Sequence, residues 1–260
     1  RRSSDLQGVQ AKEFILPKEL LEQDCVISLS KMKTHALERI TGAVKNSYGF
    51  IYGFHKAKGH TQYPSADSFA RMLIDLNKCV APKLYVMDGI VAMEGNGPGS
   101  GDPVPMNVLL MSTDPVALDS VFSRLVYLKP EMVPTNYHGE KMGLGTWKEE
   151  EITLLTPDGE ISMAEAVKKY GNPAFNVDRT EVRKNIWTRM AGALNIFQKK
   201  PYIEADKCVR CGICVQSCPV PGKAVDFRKG KGKPPVYDYR KCIRCFCCQE
   251  MCPKKAIKVK

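Results

Sequence analysis

One cysteine spacing occurs twice in the last quarter of the chain, and it constrains the fold more than any other feature. The first run begins at Cys208, and the second has the same spacing and begins 34 residues later at Cys242. The runs contain Cys208, Cys211, Cys214 and Cys218, and Cys242, Cys245, Cys248 and Cys252, each followed by proline. Three thiolates at this spacing can bind one face of a cubic iron–sulfur cluster, and a fourth must come from elsewhere.

Residues 202–260 resemble a bacterial-type ferredoxin with two [4Fe-4S] clusters. In that family each half supplies a strand, a cysteine loop with a short helix, and a returning strand, and apolar segments at 202–203, 225–227, 236–237 and 257–259 stand in the four strand positions. The resemblance implies that the fourth cysteine of each run binds the other cluster. The expected ligands are Cys208, Cys211, Cys214 and Cys252 for cluster 1, and Cys242, Cys245, Cys248 and Cys218 for cluster 2.

Structural zinc and disulfide bonds are the alternative uses of these cysteines. A zinc site needs only two C-x2-C pairs, whereas each run adds a third cysteine and a Cys-Pro pair, so the spacing favours iron–sulfur clusters. Disulfide bonds would suit a secreted protein, but neither a signal peptide nor an apolar run of about 18 residues is visible in the sequence. We therefore expect a cytoplasmic protein with no membrane association.

Cys247 lies outside the repeated spacing. Its counterpart in the first run is Ile213, so it is expected to make a small apolar contact beside the cluster. A spare ligand and a redox-sensing thiol are the alternatives.

The positive charge of the chain is concentrated in its cysteine-rich part. The formal net charge is +11, and residues 199–260 carry 16 Lys and Arg against 5 Asp and Glu, which leaves 23 of each for residues 1–198. Such a field favours an acidic redox partner or an anionic ligand. Nucleic acid is the competing partner for the basic residues between 228 and 233, but no recognition module accompanies them, so it is not expected.

Strand and helix patterns alternate through the first part of the chain and indicate an α/β domain. We predict helices at 18–22, from Ser65 to about 80, after a Thr113 cap, and at 162–170, and strands at 25–29, 84–87, 108–111 and 152–155. The helix from Ser65 has apolar residues at helical spacing, which should form one buried stripe: Phe69, Met72, Leu73, Leu76 and Val80. A loop is expected at 49–63. The predicted organisation is an α/β domain at 1–171, a connector at 172–200 with a helix over 181–194, and a small α+β two-cluster ferredoxin-like domain at 201–260.

Polar and glycine-rich segments follow the predicted strands of the α/β domain, where such folds place their sites. The segments contain Lys31, Lys33, His35, Lys45, His60 and Asp88, and a loop with Gly95, Gly97 and Gly99. Glycines permit close backbone approach, so this loop could surround an anion with its N–H groups. A mobile surface loop is the alternative, because the glycines match neither a dinucleotide fingerprint nor a P-loop.

Four segments of this domain resemble the DUF362 family, whose members are often fused to a ferredoxin. They are 31–35 (KMKTH), 41–46 (TGAVKN), 86–99 (VMDGIVAMEGNGPG) and 113–119 (TDPVALD), within a resemblance that spans about 13–155. The family is named for its unknown function, so the resemblance implies a fold and a domain arrangement but no reaction. Family members usually carry a further N-terminal α/β segment, which this sequence is expected to lack.

A shorter likeness concerns Lys45 and His60. The nickel-dependent lactate racemase family tethers a nickel-pincer nucleotide through a lysine on a glycine-rich turn and uses a downstream histidine on the metal, and these two residues stand in comparable places. The alternative is that Lys45 binds an anion and His60 is a loop residue.

Three functions therefore remain. The first is electron transfer through two clusters to or from a ligand or partner of the α/β domain, as part of an oxidoreductase. The second is a cofactor-dependent or cofactor-handling enzyme similar to nickel-dependent lactate racemase, and the third is a basic binding module with structural clusters. Two clusters that share crossed ligands favour the first, since a structural role needs only one. Whether the chain is itself an enzyme stays open.

Overall fold

The computed structural model describes residues 2–3, 8–52, 55–181 and 199–259. Its α/β domain is built on a four-stranded mixed sheet in the order β4-β3-β5-β6, formed by β3 (Ile27–His35), β4 (Arg39–Thr41), β5 (Leu84–Glu94) and β6 (Asp102–Ser112). β3 and β5 are parallel, whereas β4 and β6 pair antiparallel with β3 and β5 respectively. The fold class predicted for this domain is confirmed.

Two helices pack on one face of the sheet, α2 (Ala43–Asn46) and α5 (Pro115–Leu125), and α4 (Ala66–Val80) packs against α2. α4 begins at the predicted Ser65 cap and buries Phe69, Met72, Leu73 and Leu76, the apolar stripe expected from its spacing. The other face carries exposed apolar side chains, including Leu29 and Met111. Burial therefore alternates along β3, with Met32 in the core and Lys31 outside.

The remaining elements of the first domain lie around this layer. They are β1 (Arg2–Ser3), β2 (Phe14–Ile15), α1 (Lys18–Leu21), α3 (His55–Gln62), α6 (Pro134–Lys141), β7 (Leu154–Thr156), β8 (Gly159–Ile161) and α7 (Met163–Tyr170), with 3₁₀ turns at Ser47–Phe50, Pro130–Met132 and Glu149–Glu151. Strands β1 and β2, and strands β7 and β8, form two small antiparallel pairs.

The cysteine-rich lobe has the duplicated form expected from the sequence. Strands β9 (Pro201–Ile203), β10 (Val225–Asp226), β11 (Val236–Tyr237) and β12 (Ile257–Val259) alternate with the short helices α8 (Ile213–Gln216) and α9 (Cys247–Glu250). β9 pairs with β12 and β10 with β11, both antiparallel. The repeat extends to the backbone, because Arg210 and Arg244 have φ of 58° and 57°.

Several boundaries predicted from the sequence were wrong. The strand expected at 25–29 runs from Ile27 to His35, because pairing with both β4 and β5 carries it through the polar segment. The loop expected at 49–63 contains the 3₁₀ turn and α3. The helix after Thr113 is capped by Asp114, whose carboxylate accepts hydrogen bonds from the N–H groups of Val116 and Ala117.

The first part of the predicted connector packs with the α/β domain. Phe175 and Val177 are buried in its core, and the N–H of Asn172 donates to the carbonyl of Leu125 at 2.7 Å. The helix predicted over 181–194 lies, from residue 182 onward, outside the described residues. In the part of the chain that the structure describes, no helix is long and apolar enough to cross a membrane.

Candidate functional site

Four cysteines line a cavity on one side of the cysteine-rich lobe. Three come from the first run, Cys208, Cys211 and Cys214, and the fourth is Cys252 of the second run. Apolar side chains of Ile203 and Ile257 complete the wall, together with Val209, Pro235, Pro253 and Ala256. Cys211 is exposed and Cys208 is partly exposed, so this cavity lies at the outer surface of the lobe.

The second cavity repeats this arrangement. It is lined by Cys242, Cys245 and Cys248 of the second run and by Cys218 of the first, with apolar groups from Tyr237, Val225, Ile243 and Phe246. Cys218, Cys245 and Cys248 are buried. The cysteines of the second cavity are therefore more buried than those of the first.

The donors suit an iron–sulfur cluster because soft thiolates surround an apolar space and further groups donate to the sulfur atoms. The N–H groups of Ala224 and Ala256 each lie 3.3 Å from a sulfur, Cys218 Sγ and Cys252 Sγ respectively. Among residues 8–52, 55–181 and 199–259, no group of three or more His, Cys, Asp or Glu side chains converges to hold a single metal ion. The cysteine sulfur atoms are therefore distributed around the two cavities and do not converge on a single point.

Helix α9, which contains Cys248 of the second cysteine run, contacts the α/β domain. Gln249 on this helix is fully buried, and its Nε2 donates to the carbonyls of Asn96 and Gly97 at 2.7 and 2.9 Å. Asn96 in turn donates from Nδ2 to the carbonyl of Ile257, and Lys255 donates from Nζ to the carbonyl of Gly101. The glycine loop of the first domain is therefore the surface against which the second cysteine run packs.

Gly95, Gly97 and Gly99 were predicted to bind an anion, but their contacts indicate packing. The N–H groups of Gly95 and Gly97 donate to the carbonyls of Asn176 and Gly95 at 2.8 Å. A Cβ at residue 97 would lie 2.1 Å from the carbonyl oxygen of Thr34, and one at residue 99 would lie 2.8 Å from that of Glu250. The absence of side chains therefore allows the loop to lie between β3 and α9.

Six side chains near the contact between the two domains are linked by one hydrogen bond and by electrostatic effects on each other's pKa. We call them the interlobe polar cluster: Lys33, His35, Glu38, Lys45, His60 and Glu250. His35 Nδ1 accepts hydrogen bonds from the N–H groups of Leu37 and Glu38, at 3.1 and 3.0 Å. The proton of the neutral ring is therefore on Nε2, which donates to Glu250 Oε1 at 3.2 Å. Burial, together with the charge of Lys45, lowers the pKa of His35 to about 4.

Glu250 is held as a carboxylate. Burial alone would raise its pKa, but the hydrogen bond from His35 and the charge of Lys45 lower the pKa to about 2. The partner of a neutral imidazole is thus a negative charge, and the contact is a charge-assisted hydrogen bond.

Glu38 and His60 are buried polar groups with unpaired atoms. Glu38 is 0% exposed, and in the described part of the chain no hydrogen-bond partner reaches either of its carboxylate oxygens or His60 Nδ1. Burial raises the pKa of Glu38 well above its ordinary value and lowers that of His60 to about 4. Burial therefore disfavours the charged form of both side chains. The His60 ring stacks on Phe69 with centroids 4.5 Å apart.

Lys33 and Lys45 supply the positive charge of the cluster. Both are partly buried, and burial together with the nearby charge of Lys45 lowers the pKa of Lys33. Lys45 also acts on the pKa of the four other members, His35, Glu38, His60 and Glu250. Lys31 and Asp88, which were predicted to join them, instead form an exposed ion pair with each other at 2.5 Å.

Asp119 fixes the helix that carries Lys45. Its buried carboxylate accepts hydrogen bonds from the N–H groups of Ala43 and Val44, at 2.5 and 3.1 Å, at the beginning of α2. A Cβ at residue 42 would lie 1.9 Å from Asp119 Oδ1, so Gly42 is needed for this contact. Burial raises the pKa of Asp119 to about 7 despite these two hydrogen bonds.

Neither Glu38 nor Glu250 could be recognised as a site residue from the sequence. Glu38 lies in the short β3–β4 connection and Glu250 behind the cysteines, and nothing in their spacing distinguishes them from surface carboxylates. Lys45 and His60 do lie in one cluster, as the likeness to nickel-dependent lactate racemase requires, and their role toward such a cofactor stays a prediction.

Comparisons with known proteins divide the chain in the same way. Residues 2–124 match the family model of a domain of unknown function (DUF362), and residues 200–253 match a 4Fe-4S dicluster domain. The resemblance to a DUF362 domain fused to a ferredoxin-like domain is confirmed, and the second match identifies residues 200–253 as a 4Fe-4S-binding region.

A curated relative is similar to half of the chain. It is a thylakoid-associated protein of Synechocystis sp., 42% identical over 130 residues, which cover 50% of this chain and 40% of that protein. The chain thus matches less than half the length of this relative. No solved structure matches the chain significantly.

Proposed function

We propose that this chain, in which a DUF362 domain is joined to a 4Fe-4S dicluster domain, relays electrons between a redox partner and a ligand of the DUF362 domain. When bound, each [4Fe-4S] cluster accepts and releases one electron at a potential set by its surroundings. The ligands proposed for the two clusters are those expected from crossed ligation, and the composition of the two cysteine cavities supports that assignment.

The observation that carries this proposal is the unequal exposure of the cysteines in the two cavities. The first set includes the exposed Cys211, whereas the second set has three buried cysteines and adjoins α9, whose residue Glu250 contacts His35 of the DUF362 domain. Clusters with a purely structural role would not require one site at the surface and another at the contact between domains. The arrangement supports exchange with a partner at the first site and with the DUF362 domain at the second.

The charge of the lobe supports an acidic partner. Lys207, Arg210 and Lys241 are exposed near the cysteine loops, whereas Arg244 is buried and does not contribute to this surface. Positive charge around an exposed redox site favours encounter with a negative protein surface.

Elemental analysis and a redox titration test the proposed function. Anaerobically purified protein is expected to contain about eight iron and eight sulfide per chain and to show two one-electron transitions by electron paramagnetic resonance (EPR). Tightly bound zinc without sulfide, or clusters that cannot be reduced without unfolding the protein, would refute the relay.

A further inference from the structure

We propose that the face of the four-stranded sheet opposite the helices is a dimer interface, on which the same face of a second copy of this chain packs. Such a contact joins two DUF362 domains and is independent of the electron relay. Its residues lie on β3, β5 and β6, whose pairing brings their outward side chains together.

The outward side chains of these strands form an apolar patch. Leu29 on β3, Val86 on β5 and Met111 on β6 are direct partners across the three strands. Cross-strand partners on one face lie about 5 Å apart, so the three side chains form one row. The rows on either side complete what we call the open sheet patch, which has these further members: Ile27, Leu84, Lys31, Asp88 and Leu109.

In the part of the chain that the structure describes, this patch faces solvent. Leu29 is 72% exposed and Met111 is 63% exposed, and Ile27 and Leu109 are each 54% exposed. A sheet face that meets water normally carries polar side chains, opposite the apolar face that meets the core. Contiguous apolar patches on monomers are small, and larger ones mark interaction sites. The open sheet patch therefore has the composition of a contact surface.

The charge of this face favours a second copy over a charged partner. Lys31 and Asp88 form an ion pair with each other, so the charges within the patch cancel. Residues 1–198 carry 23 basic and 23 acidic residues, so the net charge of +11 belongs to residues 199–260. Two copies of the DUF362 domain therefore meet without net repulsion. A partner recruited by charge finds no opposite field on this face.

The area of the patch is close to what a specific dimer requires. A standard interface buries about 800 Å² on each partner, and weaker ones bury less. Four residues that are more than half exposed, with the partly buried Leu84 and Val86 between them, present several hundred Å², on the order of that requirement. Two sheets pack face to face about 10 Å apart with interdigitating side chains, and a two-fold axis places each patch on itself. An interface of this size favours a dimer that dissociates at micromolar concentrations.

The cysteine-rich lobe does not compete for this surface. It contacts the loop that follows β5, where Gln249 donates to the carbonyls of Asn96 and Gly97. The open sheet patch instead uses the first part of β5, at Leu84 to Asp88. The two contacts therefore involve opposite ends of the same strand.

Sedimentation-velocity ultracentrifugation of the cluster-loaded, anaerobic chain tests the interface between about 1 and 100 μM. The wild type is expected to convert from monomer to dimer over this range. Leu29→Lys and Met111→Lys should each raise the dissociation constant by about tenfold or more, because each places a charge in an apolar contact. Val9→Lys is the charge-matched control, since Val9 is 68% exposed and lies outside the sheet, beside Asp75 of α4. It should leave the dissociation constant within about twofold of the wild type.

The two patch variants should fold normally because both side chains face solvent in the monomer. Their circular dichroism and iron content should match those of the wild type. If Leu29→Lys does not fold, Met111→Lys on a different strand decides the question.

Three results would overturn the proposal: a monomer at every concentration, a dimer that neither patch variant weakens, or an equal weakening by Val9→Lys. Co-sedimentation with phosphatidylcholine vesicles adds a fourth. If monomeric wild-type protein bound the vesicles and Leu29→Lys abolished that binding, the face would belong to a membrane surface and not to a second copy.

Discussion

His35 donates from Nε2 to Glu250 Oε1 at 3.2 Å, and this hydrogen bond joins the last residue of β3 to α9, the helix that contains Cys248 of the second cysteine run. The same imidazole accepts two backbone N–H groups through Nδ1. One side chain therefore shapes the β3–β4 connection, which contains Glu38, and holds the cysteine-rich lobe against it. The position of Glu38 and the docking of the lobe are thus coupled through one ring.

Replacing His35 should destabilise the protein through both of its nitrogens. His35→Ala leaves two backbone N–H groups without their acceptor and a partly buried carboxylate without its donor, so the free energy of unfolding should fall by about 2–4 kcal/mol. His35→Asn can restore the backbone acceptor and should recover part of this loss. Anaerobic chemical denaturation followed by circular dichroism measures both. An alanine variant as stable as the wild type would contradict the coupling.

Acid should destabilise the protein through its buried histidines. Burial is the main reason that the pKa of His60 lies at about 4, whereas histidines of the unfolded chain titrate near 6.5. The unfolded state therefore binds more protons, and the free energy of unfolding falls as the pH is lowered from about 6.5 to about 4, by about 3 kcal/mol for one such histidine.

His60→Phe isolates this contribution because it keeps a ring that can stack on Phe69. The variant should lose less stability than the wild type between pH 7 and pH 5, when both are unfolded with guanidinium chloride under the same anaerobic conditions. Parallel pH profiles for the two proteins would show that His60 is not the titrating group.

The sequence predicted those parts of the molecule whose signals are local. The duplicated cysteine spacing indicated the form of the lobe, and Ser65 with its apolar stripe indicated α4, because caps and periodicity act within a few turns. The length of β3 could not be predicted in this way. Lys31 and Lys33 are polar, and they remain in a strand only because β4 and β5 both pair with it.

The interlobe polar cluster could be predicted only in part. Lys45 and His60 were selected through a distant likeness, and His35 through its place after a strand. Glu250 lies 215 residues from His35, and its role depends on how two domains pack, which no local pattern encodes. The glycine loop was noticed for its freedom to bind an anion, but the nearby carbonyl of Thr34 explains why Gly97 has no side chain.

Crossed ligation predicts which cysteine variants should resemble each other. Cys218→Ser and Cys242→Ser are expected to perturb the same EPR signal, because both residues line the second cavity. Cys208→Ser and Cys252→Ser are expected to perturb the other EPR signal, because both residues line the first cavity. Cys25→Ser, at an exposed thiol of the other domain, is the control and should retain both signals and full iron content. If Cys218→Ser instead matched Cys208→Ser, each run would bind its own cluster.

Tyr237 should make the second cluster easier to reduce. Its hydroxyl lies 3.1 Å from Cys248 Sγ, whereas the equivalent position in the first repeat is Ile203, which has no donor. Hydrogen bonds to ligand sulfur stabilise the reduced, more negative cluster. Tyr237→Phe should lower that potential by roughly 20–60 mV, the one-electron equivalent of a bond worth about 0.5–1.5 kcal/mol. EPR-monitored titration measures it, and a shift confined to the other cluster would contradict the assignment.

The exposed basic residues of the lobe should accelerate encounter with an acidic electron donor. Lys207, Arg210 and Lys241 are exposed beside the cysteine loops, and Lys207 already pairs with Glu204 at 2.7 Å, so Arg210 and Lys241 are expected to contribute more. Neutralising Arg210 and Lys241 together should slow reduction by an acidic ferredoxin several-fold at low ionic strength and much less at ~0.15 M, because salt screens exposed charges.

Stopped-flow reduction at several salt concentrations measures this effect, with Lys168→Gln and Lys169→Gln on α7 of the other domain as charge-matched controls. Reduction by dithionite, a small molecule that needs no docking surface, should be similar in all variants if the clusters are intact. A rate that responds neither to salt nor to the Arg210 and Lys241 substitutions would contradict electrostatic docking at the first cavity, whereas an equal response to the α7 controls would show that only the net charge of the chain matters.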